Sequence, residues 1–219
     1  MELTSDSPKF GAPKGIAALY IRPNCFNEYG RTNPEGSVLL MGGGQENGRR
    51  GGTENVPYIA GLGRAADLLF EKRQSPRDEE KELVDGWKYN LQHTEAMRER
   101  LLNNLVQGLG EFAVRTNGPS DPRKRLPNTL SVGIKGVQSG ELLANIGNIV
   151  ACSAGSACHS SGSHMSYSAI LKAVKTPPEY AIGTLRLSVG PDTTKEDVDR
   201  ATKVIISEAK RQLESSSSI

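Results

Sequence analysis

The sequence has few cysteines, few aromatic residues and no long hydrophobic run. Three of its 219 residues are cysteines, an odd and small number that argues against the disulfide framework of a secreted protein. No apolar stretch approaches the roughly 18 residues that a membrane-spanning helix needs, and the N-terminus lacks the basic start and apolar core of a signal peptide. We therefore expect an intracellular protein, cytoplasmic or mitochondrial, with no membrane partner.

An excess of one charge is also missing. Lys and Arg number 27 against 25 for Asp and Glu, and this balance gives no general attraction to a phosphate backbone. We expect no nucleic-acid partner. Glycine, in contrast, is abundant with 24 residues, and six of them lie between Gly42 and Thr53. Such a loop lets backbone N–H groups approach a ligand closely and is the first candidate site.

Short strand patterns alternate with helical patterns along the chain. This alternation predicts an α/β or α+β layered fold. Thr194 with Asp197 three residues later has the pattern of an N-cap at the start of the final helix. The predicted helices cover residues 57–73, 87–109, 140–146, 167–174 and 195–214, and the predicted strands cover residues 15–22, 112–115, 129–134, 149–153 and 184–189.

The cysteine at position 158 has an unusual setting. It lies among small residues only, in the run SAGSACHSSG of residues 153–162, and these leave a thiol accessible. Neighbouring N–H groups or a protonated His159 would lower its pKa and favour the reactive thiolate. Cys25 and Cys152 are interpreted as small hydrophobic residues. Zinc ligation by Cys152, Cys158, His159 and His164 is the alternative, although the spacing lacks the compact C-x2–4-C pattern of a zinc knuckle, and we predict no metal site.

Arg186 is the second candidate. It lies within the strand-like run TLRLS, and a guanidinium inside an apolar strand needs an anion to offset its desolvation. The carboxylate of a ligand or an internal Asp or Glu would serve equally well.

Five segments in the same order resemble the pyridoxal-phosphate-dependent cysteine desulfurase and selenocysteine lyase family of class V aminotransferases. The similarity extends over nearly the whole chain and over about the C-terminal half of the family's fold. The segments are PKFGAPKGIAALYIR at 8–22, GGGQENGRRGGTEN at 42–55, LPNT at 126–129, SAGSACH at 153–159 and LRLSVG at 185–190.

The resemblance implies the C-terminal part of a fold-type I transferase of mixed strands and helices. Residues 1–110 would be a remnant of the large cofactor-binding domain, with the glycine-rich loop and long helices. Residues 111–214 would form a small C-terminal α+β domain, and residues 215–219 a disordered tail.

The resemblance also implies the roles of individual residues. Lys9 would be the catalytic lysine that forms the Schiff base with pyridoxal 5'-phosphate, and Thr53 would reach the cofactor phosphate of the neighbouring subunit in a homodimer. Cys158 would be the nucleophile that takes sulfur or selenium from L-cysteine or L-selenocysteine, leaving L-alanine. Arg186 would bind the substrate carboxylate.

Two functional hypotheses follow from the sequence. The first is the desulfurase or lyase reaction, with a protein that accepts the sulfur or selenium as a further partner. The second is a truncated, noncatalytic interaction module that pairs with a full-length relative or with the sulfur acceptor.

Overall fold

The computed structural model describes residues 2–6, 10–21, 40–76, 82–119, 121–155 and 168–216. The chain divides into two compact units. Unit 1 comprises Met1–Arg73 and Leu83–Trp87, and unit 2 comprises Gln74–Glu82 and Lys88–Ile219. Strands and helices occur in both units, which confirms the predicted mixed α/β class.

Unit 1 contains a strand pair and a well-defined helix. Strands β1 (Glu2–Asp6) and β2 (Ala17–Ile21) pair antiparallel, with Glu2 opposite Ile21. The prediction missed β1, because ELTSD has one apolar residue and becomes extended by pairing with β2. After the short helix α1 (Gln45–Gly48) comes α2 (Val56–Phe70). Asn55 caps α2, since its Oδ1 accepts a hydrogen bond from the Tyr58 N–H at 3.3 Å, as N-cap residues do.

A small sheet and a long helix lie in the part of the sequence where the division between the units falls. Strands β3 (Lys72–Gln74) and β4 (Leu83–Asp85) pair with each other. Helix α3 (Gly86–Leu109) follows β4 directly. Most of α3 belongs to unit 2, so the division between the compact units falls earlier in the chain than the boundary we predict at residue 110. The reason is that Met97, Leu101 and Leu105 of α3 are part of the core of unit 2.

Unit 2 is built on an antiparallel sheet in which the described strands follow the order β5-β6-β8-β7. The strands are β5 (Val114–Thr116), β6 (Thr129–Ile134), β7 (Ser153–Ala154) and β8 (Thr184–Ser188). The helices are α4 (Ser139–Ile146), α5 (Ala169–Ala173), α6 (Pro178–Ala181) and α7 (Lys195–Ser216). β6 has its predicted bounds, whereas β7 is shorter than predicted and α7 extends two residues into the predicted tail.

One face of this sheet forms the hydrophobic core with α3, α4 and α7. Alternate residues of β6 and β8 turn inward because side chains along a strand point to opposite faces in turn. The core includes Met97, Leu101, Leu105, Leu130, Val132, Ile134, Leu142, Ile146, Leu185, Leu187, Val198, Ile205 and Ala209. The intervening residues of β6 and β8 are left on the opposite face, where polar side chains collect.

Candidate functional site

Arg186 lies on this polar face of the unit 2 sheet. It is exposed, whereas its neighbours Leu185 and Leu187 are buried on the core face. The prediction that its guanidinium sits in an apolar environment was wrong. The strand alternates, so the apolar residues on either side of Arg186 in the sequence are not its neighbours in space.

Two serines flank Arg186 on the adjacent strands. Ser131 of β6 and Ser153 of β7 are both in register with Arg186. An Nη2 N–H of Arg186 donates to Ser153 Oγ at 3.4 Å, which is the only hydrogen bond of this guanidinium within the part of the chain that the structure describes. No described Asp or Glu pairs with it. A guanidinium has further N–H donors, and these suit a carboxylate or another anion.

An amide network fixes the neighbouring part of the polar face. Asn117 donates to Ser131 Oγ at 3.2 Å and to Thr184 Oγ1 at 3.3 Å. Its own carbonyl oxygen accepts from the Thr176 hydroxyl at 3.0 Å. The sequence analysis missed Asn117, Ser131 and Thr176. The alternation of apolar and polar residues in TLSVGI is a signal that could have placed Ser131 on the polar face. The residue that pairs with Ser131 could not have been predicted in this way, because it lies far away in the sequence.

Gly155, the residue that follows β7, contacts Thr184 of β8. The Gly155 N–H donates to the Thr184 carbonyl at 2.7 Å. A Cβ atom on Gly155 would lie 2.1 Å from Thr184 Cγ2, so this close approach requires glycine. Cys158 itself, three residues further along, lies outside the described residues.

The glycine-rich loop in unit 1 is closed by backbone contacts between its two ends. The Gly51 N–H donates to the Leu40 carbonyl at 2.9 Å. A Cβ on Gly42 would lie 2.6 Å from the Gly51 Cα, so a side chain there would separate the two ends. Arg50 holds the next turn by donating to the Gly52 carbonyl at 2.7 Å. Thr53 follows this turn and is exposed.

Two of the four predicted site residues lie among the described residues and two do not. Thr53 lies in unit 1 and Arg186 in unit 2, each described within its own unit. Lys9 and Cys158 lie outside the described residues, as do Cys25, His159 and His164.

Cys152 is half-buried and packs against the core of unit 2. Burial raises the pKa of its thiol, because a low-dielectric surrounding disfavours the thiolate. This agrees with its interpretation as a small hydrophobic residue. Across the described ranges, no three His, Cys, Asp or Glu side chains group in a way that would hold a metal ion.

The described residues contain no helix that is both long enough and apolar enough to cross a membrane. The two long helices, α3 and α7, carry too many charged residues to be membrane-spanning.

Comparison with known proteins gives a family and several relatives. The Aminotransferase class-V family model matches residues 3–201. A cysteine desulfurase of Sinorhizobium fredii is 36% identical over 97% of this chain and 48% of its own length. The cysteine desulfurase IscS of Clostridium botulinum is 35% identical over 93% of this chain and 45% of its own length.

A solved structure of a NifS-like protein agrees with these relatives. It superposes with a TM-score of 0.65 at 27% identity, covering 96% of this chain and 46% of the NifS-like chain. The chain thus spans about half the length of the relatives that it matches. The family model nevertheless extends over most of its residues, and the chain belongs to the aminotransferase class-V family.

Proposed function

We propose that this chain supplies the substrate-binding, phosphate-binding and sulfur-accepting groups of a pyridoxal-phosphate-dependent cysteine desulfurase. The substrate would be L-cysteine and the product L-alanine, with L-selenocysteine as the second substrate to test. Relatives named as cysteine desulfurases support the reaction class. The observation that carries the proposal is Arg186, an exposed guanidinium that lies between two serines and pairs with no Asp or Glu among the described residues.

Arg186 suits the carboxylate of an amino acid. A guanidinium can donate two parallel hydrogen bonds to a carboxylate and so fixes its orientation. Ser131 and Ser153 offer neutral hydroxyl groups beside it. A substrate held in this way would have its α-carbon at a defined distance from the sheet.

The residues of unit 1 fit the phosphate of the cofactor. Thr53 presents an exposed hydroxyl at the end of a loop whose glycines leave its backbone open to close approach, and such donors are typical of phosphate sites. When bound, pyridoxal phosphate accepts electron density from the substrate α-carbon. Lys9 would hold the cofactor through its amine and move a proton to and from the substrate. By the resemblance, Thr53 would act in the site of a second copy.

The short chain length between Gly155 and Cys158 supports a joint role of Cys158 and Arg186. Gly155 is hydrogen-bonded to Thr184, two residues before Arg186. Three residues of extended chain span at most about 11 Å, so the thiol can approach a substrate whose carboxylate Arg186 holds.

The Cys158 thiolate would attack the substrate sulfur. A sulfur–sulfur bond forms, the bond between sulfur and the β-carbon breaks, and its electron pair stays with carbon, which takes up a proton. L-cysteine and the Cys158 thiol thus give L-alanine and a persulfide, which passes to an acceptor protein.

The first test is a titration of the full chain with pyridoxal phosphate, read as visible absorbance. We expect a saturable band that Lys9→Ala removes. L-cysteine is then added and L-alanine is measured. Arg186→Gln should raise KM about 10- to 150-fold, the equivalent of a charged hydrogen-bonded pair worth about 1.5–3 kcal/mol, and L-selenocysteine should be affected to the same extent.

Arg200→Gln is the matched control. Arg200 is an exposed arginine of α7, and α7 packs on the core face of the sheet. Its loss should leave KM unchanged. An equal effect of the two substitutions would rule out Arg186 as the carboxylate-binding residue, and the absence of any band in the folded chain would rule out cofactor binding by this chain alone.

A further inference from the structure

Ser131 lies directly beside Arg186 on the polar face of the unit 2 sheet. The two residues are register partners on the antiparallel strands β6 and β8, and residues opposite each other in such a pair have Cβ atoms about 4.5–5.5 Å apart. Ser131 is half-buried and Arg186 is exposed. A ligand that contacts the Arg186 guanidinium is therefore also close to the Ser131 hydroxyl.

The hydrogen bonds around Thr184 decide how the amide next to Ser131 is turned. The Thr184 hydroxyl donates to the Tyr180 carbonyl at 3.0 Å. A hydroxyl has only one proton to donate, so Thr184 Oγ1 has to act as the acceptor in its contact with Asn117. That contact, at 3.3 Å, therefore involves the Asn117 Nδ2 and not its carbonyl oxygen, which fixes the orientation of the amide.

The fixed amide in turn decides the direction of the Ser131 hydroxyl. One N–H of Asn117 Nδ2 donates to Thr184, and the other donates to Ser131 Oγ at 3.2 Å. On its opposite side, Asn117 Oδ1 accepts from the hydroxyl of the buried Thr176 at 3.0 Å. Because Ser131 Oγ is the acceptor in the contact with Asn117, the Ser131 proton has to point to another group.

Among the residues that the structure describes, none accepts the Ser131 proton. Arg186 cannot accept it, since a guanidinium has N–H donors and no acceptor. Ser153 on the other side of Arg186 has a different role, because its Oγ accepts from Arg186 Nη2 at 3.4 Å and holds the guanidinium. Ser131 and Arg186 thus place an O–H donor and N–H donors side by side, which suits an anion.

We propose that Ser131 is a second binding residue for the substrate carboxylate, and that Asn117 and Thr176 are positioning residues that direct its hydroxyl proton. This inference rests on the proposed function, in which Arg186 binds that carboxylate. A carboxylate has about four lone-pair sites, so it accepts from the guanidinium and from Ser131 at the same time. A carboxamide offers one uncharged oxygen and brings N–H donors of its own. The site is therefore specific for amino acids with a free α-carboxylate.

The test is the binding of L-alanine to the full chain without cofactor, followed by NMR through the side-chain N–H signals of Asn117 and Arg186. The matched ligand is L-alaninamide, which lacks the carboxylate. We expect saturable shifts with L-alanine only. Ser131→Ala should raise Kd about 3- to 10-fold, as for the loss of one hydrogen bond, whereas Ser131→Thr keeps the hydroxyl and should retain binding. Thr176→Val lets the amide turn and should raise Kd by less than Ser131→Ala.

Two control variants separate this role from general effects on the fold. Ser188→Ala removes an exposed hydroxyl from the same strand and the same face as Arg186, and it should leave Kd unchanged. Thr202→Val removes a buried hydroxyl that donates to the Val198 carbonyl at 2.9 Å within α7. It matches the loss of a buried hydrogen bond in Thr176→Val but should not change Kd.

The outcomes distinguish this inference from the proposed function. Loss of L-alanine binding with Arg186→Gln but not with Ser131→Ala would overturn the role of Ser131 and leave that of Arg186 intact. Equal binding of L-alaninamide, or equal effects of Ser131→Ala and Ser188→Ala, would also overturn it. No saturable shift in the wild type would overturn the carboxylate site as a whole. Binding that Ser131→Ala weakens, in a chain that gives no cofactor band, would support the inference and contradict only the catalytic function.

Discussion

The buried carboxylate of Glu208 gives a sharp prediction about stability and pH. Its side chain on α7 is 9% exposed and accepts from Arg211 Nε at 2.8 Å and from an Arg211 Nη2 N–H at 2.7 Å. Asn145 donates to it at 2.8 Å and Gln212 at 3.2 Å. These donors, Arg211 foremost, lower the pKa of Glu208 to about 2. Glu208→Gln keeps the size of the side chain but loses the charge and turns an amide N–H toward a donor.

The expected loss is about 1–2 kcal/mol at neutral pH. Charged hydrogen bonds contribute about 1.5–3 kcal/mol, and the half-exposed Arg211 guanidinium reduces this value through solvent screening. For a protein of this size, the loss lowers Tm by about 2–8 °C. The folded pKa lies below the ordinary value of 4.5, so the stabilisation is complete above about pH 4.5 and is lost as pH falls towards 2.

Urea unfolding of both proteins at pH 7, 5, 4 and 3 measures this difference. The gap in unfolding free energy between wild type and Glu208→Gln should be largest at pH 7 and shrink below pH 4.5. Glu141→Gln is the control, because Glu141 contacts the same Arg211 from an exposed position and should cost less than about 1 kcal/mol. A gap that is constant with pH, or equal costs for the two substitutions, would refute the reasoning.

Three further predictions concern the core, the sheet and the thiols. Leu105→Ala should destabilise the chain by about 2–5 kcal/mol in urea unfolding, since Leu105 is fully buried. Gly155→Ala should destabilise the chain by about 1–3 kcal/mol, because the new Cβ would meet Thr184. The control is Gly140→Ala in helix α4, where a Cβ has no neighbour within 4 Å, and this change should be neutral or stabilise by up to about 1 kcal/mol. Similar Tm values for the two variants would contradict the prediction. In a variant whose other two cysteines are serine, Cys152 should react with a maleimide more slowly than free cysteine at pH 7.5, and urea should restore the rate; equal rates without urea would disagree with the raised pKa of its thiol.

Local signals predicted much of the secondary structure. Periods of three and four predicted α2 and α3, and alternation predicted β6 with its observed bounds. The predicted cap of α7 is confirmed, since the Asp197 N–H donates to Thr194 Oγ1 at 3.1 Å and the Thr194 N–H donates to Asp197 Oδ2 at 3.2 Å. These features succeed because each depends on residues that are close in the sequence.

Other elements carry no local signal. α6 is not among the predicted helices; it begins at Pro178, and Pro at the first helical positions is compatible with a helix start. β7 is reduced to Ser153–Ala154, because only these residues pair with β8. Before them, Val150 and Cys152 pack against the core without pairing to a described strand, while Ile149 is exposed.

The candidate site also has some features that the sequence predicts and others that depend on the tertiary structure. The sequence by itself determined the family, through five short segments in order, and it singled out Thr53 and Arg186 by residue type and setting. Only the tertiary structure decided that Arg186 is exposed and lies between Ser131 and Ser153. Those neighbours are 55 and 33 residues away in the chain, and which side chains meet across a sheet is fixed by strand order and register rather than by spacing along the sequence.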